Sequence, residues 1–438
     1  MRFGFLRSSL AFLAVVSVVA CAVPAFSQAL PDIYPEAQTN YLPGTFVVLA
    51  NPDTKQNYLA TITGPLGDTQ QGYVYASVVD TGSSGNVICA TEAQGRNLPL
   101  TGETYSDVGI GGTEEFYVSG STTVKLAAVD SGAIDDSYNE HLDKFNTSYG
   151  DYKLQVRESD PKIDTGLGFD ATIMINTIGT PILNQNVMHV RSGTAPFPYY
   201  MDDVGIAPVN YVPTDVVSQS SLAGTLTAAS SQLVLVPKVG GTASAVHVPL
   251  VYKDFIDYNL NPTPAPSVAT NPTIPNVSLV LGTKTEKSDW LFDSGSAITM
   301  MGRDQATSLG IDLSQPGVTS TTVLGIGGSM PTFQGYQIDK LVLSTADGNT
   351  LSFDDIIVFV PGPNEMPADL PGIFGMNLLD DAFQSMDADT GEPIDLVSSA
   401  FSDWYVVPAA VPEPTTFVLL AVAASIFLIR RRFARCRG

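Results

Sequence analysis

Two aspartates, Asp80 and Asp293, occupy near-identical surroundings in the two halves of a 438-residue chain. In the first half, Val74-Tyr75-Ala76-Ser77-Val78-Val79 leads into Asp80-Thr81-Gly82-Ser83-Ser84-Gly85, and then Val87-Ile88. In the second, Trp290-Leu291-Phe292 leads into Asp293-Ser294-Gly295-Ser296-Ala297-Ile298. Each time an apolar strand ends on a carboxylate, and a hydroxyl residue, a glycine and a serine follow. Two carboxyls held close together resist double ionisation, so such a pair shares one proton. The ionised partner can take a proton from water while the protonated one hydrogen-bonds the carbonyl under attack. That rule is general to carboxyl pairs, and the two ionisations belong to the pair rather than to either residue.

The flanking residues have work of their own. Gly82 and Gly295 allow a tight turn that brings backbone amides to the carboxylates. Thr81 and Ser294 are placed to hydrogen-bond across the two loops, and Ser83 and Ser296 are expected to donate to the outer carboxylate oxygens. Three further tripeptides share the pattern: Asp130-Ser131-Gly132, Asp164-Thr165-Gly166 and Asp389-Thr390-Gly391. None follows a continuous apolar strand and runs on into serine, so they read as ordinary turns.

The elements that must position the pair recur in the same order. A glycine-rich hairpin tip follows each loop, Gly109-Ile110-Gly111-Gly112 and Gly325-Ile326-Gly327-Gly328. Glycines between apolar runs suit tight hairpins that need positive φ. Further on comes an apolar pair and a glycine, Thr177-Ile178-Gly179 and then Ile373-Phe374-Gly375. Three matched elements in one order make an internal duplication. With 38 Gly, 30 Pro, 44% apolar and 15% charged residues, the chain reads as short strands joined by turns, long enough for two lobes. The duplication places one lobe at 58–190 and the other at 277–405. Residues 191–276 carry no copy of the repeat, and Asn261-Pro262 to Pro266 reads as an extended linker. Trp290 and Trp404 read as core residues.

At these residues the chain resembles the pepsin and retropepsin superfamily of aspartic peptidases. Val78-Val79-Asp80-Thr81-Gly82-Ser83-Ser84 is close to a pepsin loop, whereas the two Gly-Ile-Gly-Gly tips and Ile373-Phe374-Gly375 are closer to retropepsins. The resemblance spans roughly 58–405. It implies an all-β, bilobal pepsin-like fold with an active-site cleft between two related lobes. It also implies endopeptidase activity on an extended peptide, with no metal and no cofactor. The tyrosine nearest the first hairpin tip is Tyr105, and the disulfides of pepsins are absent. Two other readings stand beside it. One is a catalytically silent binding or matrix protein at the cell surface. The other is a serine hydrolase, which Gly82-Ser83-Ser84-Gly85 suggests only superficially, since the Gly-x-Ser-x-Gly spacing is missing.

Charge bounds the partners. Of 21 basic and 44 acidic residues, seven arginines and a single glutamate lie at the two ends, which leaves a strongly acidic body. Such a body repels nucleic acid and anionic membranes. Cys89 is the sole body cysteine, and His141, His189 and His247 lie in no ligand motif, so neither disulfides nor a metal site are expected. Residues 1–29 read as a secretory signal ending at Ser27-Gln28-Ala29, with a looser lipoprotein-like box at Cys21. At 411–438, Pro412-Glu413-Pro414, a short apolar run and Arg430-Arg431-Arg432 resemble the PEP-CTERM sorting signal of Gram-negative bacteria. That resemblance implies export, transient anchoring of the tail in the inner membrane, processing by an exosortase-type enzyme, and release to the cell surface or beyond. N-terminal sequencing of the exported protein should begin at Leu30; a chain that still carries Met1 would contradict the leader.

Overall fold

In this computed structural model the described residues run from 35 to 409 with breaks, the longest at 192–200, 219–229, 238–244 and 324–330; between 380 and 400 only two short strands are described. The leader and the C-terminal sorting segment lie outside them. Among the described residues no helix is long and apolar enough to cross a membrane.

Two large sheets dominate, one of twelve strands and one of eight. Their cores repeat the same set of pairings. In the first lobe Tyr41–Ala50 runs antiparallel to Val74–Val79 and to Gly112–Ala128. Thr177–Ile178 lies parallel to Val74–Val79 and antiparallel to Val87–Ile88. Ser148–Arg157 pairs with Val87–Ile88 in parallel and with Gly112–Ala128 antiparallel. The first hairpin joins Leu100–Gly109 to Gly112–Ala128. In the second lobe Asn271–Leu281 takes the place of Tyr41–Ala50, beside Lys284–Phe292 and Thr332–Ser344. Gly372–Phe374 lies parallel to Lys284–Phe292 and antiparallel to Met300–Met301. Thr350–Val360 pairs with Met300–Met301 in parallel and with Thr332–Ser344 antiparallel. The second hairpin joins Thr319–Thr322 to Thr332–Ser344. A short helix follows the third strand in both lobes, Ala90–Gly95 and Arg303–Leu309. Each of these core pairings in one lobe has its counterpart in the other. The fold is all-β and bilobal, of the pepsin-like type, with the cleft between two related lobes.

The first sheet continues past this common unit. Asn210–Val217 joins Tyr41–Ala50 in parallel, and Val187–Val190 follows it. Phe401–Val407 then enters from the far end of the chain, between Val187–Val190 and Gln232–Pro237. Sheet and lobe boundaries therefore differ from the sequence-based ones. Tyr41–Ala50, ahead of residue 58, is the centre of the first sheet, with Phe46 to Leu49 fully buried. The second sheet begins at Val251 rather than 277, and residues up to 407 close on the first sheet, not the second. A motif search cannot see these strands because nothing in them marks the partner; only burial does.

Trp404 shows why the last strand matters. Its ring is fully buried and meets Phe292, next to Asp293, edge-on at 5.8 Å. Trp404→Ala should lower unfolding stability by about 3–5 kcal/mol. Val318→Ala, at a residue 67% exposed, should stay within about 0.5 kcal/mol of wild type. Urea unfolding of the two variants tests this, and equal stabilities would mean that the strand is not part of the folded core.

Candidate active site

The strand Val74–Val79 ends on Asp80, and Lys284–Phe292 ends on Asp293. Each aspartate is anchored by the apolar-glycine strand of its own lobe: Asp80 N donates to Ile178 O at 2.9 Å, and Asp293 N to Phe374 O at 3.1 Å. The next residues hold the loops in matching ways. Gly179 N donates to Asn86 Oδ1 at 2.9 Å, and Gly375 N to Thr299 Oγ1 at 3.2 Å. Thr180 N donates to Ser83 O at 3.0 Å, and Met376 N to Ser296 O at 2.8 Å. Both glycines are pressed on backbone. A Cβ on Gly179 would lie 2.0 Å from Gly85 O, and one on Gly375 would lie 2.1 Å from Ile298 O. Ile178, Ile373 and Phe374 are buried beside them.

The two loops are locked to one another. Thr81 Oγ1 donates to Phe292 O at 2.6 Å and accepts from Ser294 N at 3.0 Å. Ser294 Oγ donates to Val79 O at 2.7 Å and accepts from Thr81 N at 3.0 Å. Both side chains are fully buried. The glycines mark how closely the loops approach. A Cβ on Gly82 would stand 2.4 Å from Asp293 Cγ, and one on Gly295 would stand 2.4 Å from Asp80 Cγ. No side chain fits at either place.

The carboxyls of Asp80 and Asp293 thus lie side by side, each against the other loop's glycine, and the ionisation of each bears on the other. Gly82 N and Ser83 N donate to Asp80 Oδ1 at 2.7 and 3.1 Å, and Gly295 N donates to Asp293 Oδ1 at 2.9 Å. Burial raises Asp80 above the ordinary carboxylate range, although its hydrogen bonds oppose the shift. Asp293 is raised well above that range, first by burial and then by the charge and hydrogen bond of Asp80. Both shifts favour the protonated form of the pair. The serines depart from expectation. Ser83 Oγ donates to Gly85 O and Ser296 Oγ to Ile298 O, each at 2.8 Å. These hydroxyls brace the loops, and backbone N–H groups serve the carboxylates.

Two crossing segments complete the floor. Ala269 N donates to Ser84 O at 2.8 Å, and Thr39 N to Ala297 O at 2.9 Å. Asn271 Nδ2 reaches Thr81 O and Gly82 O at 3.0 and 2.9 Å. Asn377 Nδ2 reaches Ala37 O at 3.2 Å. Sequence reading singled out none of Asn86, Asn271 or Thr299. Buried hydrogen-bonding side chains of this kind leave no spacing signal.

Above the floor, Gly109 and Gly112 pair across a two-residue turn, and Gly112 takes φ +121°, which favours glycine. The tip residue Ile110 packs on the second lobe's apolar cluster, which includes Ile298, Phe333 and Ile373. The first hairpin thus crosses the cleft. Tyr105 is fully buried at its base, opposite Phe116, so it is not a tip residue. Gly111 and the second tip, Gly325, Ile326, Gly327 and Gly328, lie outside the described residues. Trp290 is a core residue, its Nε1 bonded to Ser288 Oγ at 2.9 Å.

No protein-family model matches the chain, and no curated protein matches it. Among solved structures, basic 7S globulin from soybean is similar over 83% of this chain and 95% of its own, with 7% identity and a TM-score of 0.31. At that score the fold assignment rests on the duplicated strand pairing and not on the likeness.

Thr81→Ser should be nearly neutral, because serine already does this work at 294. Thr81→Val keeps the shape but strands Phe292 O and Ser294 N in the interior. It should cost about 2–4 kcal/mol of stability, read by denaturant unfolding; a loss as small as that of Thr81→Ser would remove the lock.

Proposed function

We propose that this chain is an exported aspartic-type endopeptidase, in which Asp80 and Asp293 activate a water against a peptide carbonyl. The observation that carries the reading is the close approach of the two carboxyls, made by loops that are locked across the lobes and pinned by their own apolar-glycine strands. A binding protein has no use for two carboxyls forced together at the cost of their burial.

The chemistry follows from one shared proton. With the pair singly ionised, the charged oxygen accepts a proton from the water as it attacks. The protonated carboxyl donates to the carbonyl oxygen, where negative charge develops. Return of the proton to the departing nitrogen restores the pair. The turn amides of Gly82, Ser83 and Gly295 hold both carboxyls in place during the exchange. The substrate is an extended peptide or protein segment lying between the loops and the first hairpin, and it pairs with backbone in the manner of an added strand. Residues 1–29 and 411–438 would carry the enzyme out of a Gram-negative cell and, after exosortase-type processing, to its surface or beyond.

The sign of the pH dependence follows from the raised pair. Rate is lost at low pH, where the first carboxylate takes up a proton. It is lost again at higher pH, where the shared proton leaves. Because burial and mutual repulsion hold that last proton above the carboxylate range, activity should extend from acid into mildly acid conditions. A peptide library should be cleaved there, and a statine-containing peptide should block the cleavage. Asp80→Asn and Asp293→Asn should each lower kcat by about 10²–10⁴-fold. An unchanged rate in either variant would sink the dyad. Tight binding of a peptide or polysaccharide without cleavage would favour the silent binding protein.

A further inference from the structure

One carboxyl close to the pair takes no part in the mechanism above. Asp107 lies on Leu100–Gly109, just before the turn of the first hairpin. Its Oδ2 accepts from Gln155 Nε2 at 3.1 Å, and its Oδ1 accepts from its neighbour Val108 N at 2.9 Å. Gln155 is fully buried on Ser148–Arg157. Its backbone N–H donates to Asn86 O at 2.9 Å, in the loop that follows Asp80. Its side chain also presses on that loop, since a Cβ on Gly85 would stand 2.8 Å from Gln155 Cδ and Nε2. Among the described residues Gln155 Oε1 has no hydrogen-bond partner, and the bond from Nε2 to Asp107 orients the amide. The hairpin, Asp107, Gln155 and the Asp80 loop form one chain of contacts.

We infer that Asp107 is a positioning residue for the dyad, which ties the first hairpin to the Asp80 loop through Gln155. Only its consequence for catalysis rests on the endopeptidase reading; the contacts stand without it.

The charged groups around Asp107 come from four places. The charge of Asp80 reaches it from the loop. Glu114 is its partner across the hairpin, ion-paired to the buried Arg157 at 3.1 Å. Asp160, just beyond Arg157, acts on Glu114. Burial raises Asp107, and the charge of Asp80 raises it further, against the hydrogen bonds from Gln155 and Val108. Glu114 is pushed up to about 7, chiefly by burial, with Asp107 and Asp160 adding to the shift and Arg157 opposing it. Like charges oppose each other in both directions, so a charged Asp107 opposes further ionisation of the pair. A neutral side chain of the same shape should let the last proton leave at lower pH.

The test uses the mature full chain with ¹³C-labelled aspartate carboxyls. Titration of the Asp80 and Asp293 signals is followed in wild type, in Asp107→Asn, and in Asp135→Asn as a distant, exposed control. Asp107→Asn should lower the upper midpoint of the pair, and Asp135→Asn should leave it in place. A purely structural role would not move it, because asparagine keeps the shape and one acceptor oxygen for Gln155 while giving up the charge. In Gln155→Leu, amide exchange along the first hairpin should quicken by about three- to tenfold, the loss of one hydrogen bond. An unmoved upper midpoint in Asp107→Asn overturns the inference, and so does unchanged hairpin exchange in a folded Gln155→Leu. Neither readout depends on cleavage, so failure of the endopeptidase reading would appear in the kinetics of Asp80→Asn and not here.

Discussion

Two carboxyls of like charge stay side by side only if something stronger than their repulsion holds them. Here it is a reciprocal pair of hydroxyls. Thr81 and Ser294 each donate to the backbone of the opposite strand and accept from the opposite loop's amide. These bonds are buried, so losing one leaves an unpaired group with no water to replace it. The lock is also self-limiting. Closer approach is stopped by Gly82 and Gly295, already against the opposite carboxyls. Separation and orientation are thus set by backbone, which is stiffer than any side chain that could have done the job.

The lobes are tied together from outside the lock as well. The stretch before each lobe's first strand reaches into the other lobe's loop: Gln38 bridges to Ile298, and Val268 to Gly85. Phe401–Val407 returns from the far end of the chain into the first sheet. There Trp404 packs on Phe292, one residue before Asp293. Each active-site loop therefore rests partly on segments that belong to the opposite side. This arrangement couples the stability of both lobes to the geometry of the pair, and it leaves the cleft as the approach to the carboxyls.

The two halves are not equal partners. The first hairpin reaches across the cleft and sets Ile110 on the second lobe, and it carries the Asp107–Gln155 link to a loop. The first sheet also bears the added strands that join the lobes. The loops between the two halves nonetheless keep matching bonds.

Much of this was legible in the residues. Alternating and apolar runs, paired glycines and the order of three motifs determined an all-β duplicated chain and singled out Asp80 and Asp293 among five similar tripeptides. Those features are local, and local sequence carries them because turns need glycine and strands need apolar runs. The limits of the lobes were not legible, since Tyr41–Ala50 and Phe401–Val407 find their sheets through burial against residues far away. Nor were the bonds of Ser83 and Ser296, which go to backbone carbonyls two residues on rather than to the carboxylates. A hydroxyl chooses among acceptors by ångström-scale geometry that spacing does not encode. The sequence by itself determined which two carboxylates could meet. Only the tertiary structure decided that their ionisations are pushed upward and that Asp107 is tied through Gln155 to the loop after Asp80, because burial and proximity exist only once the lobes have closed.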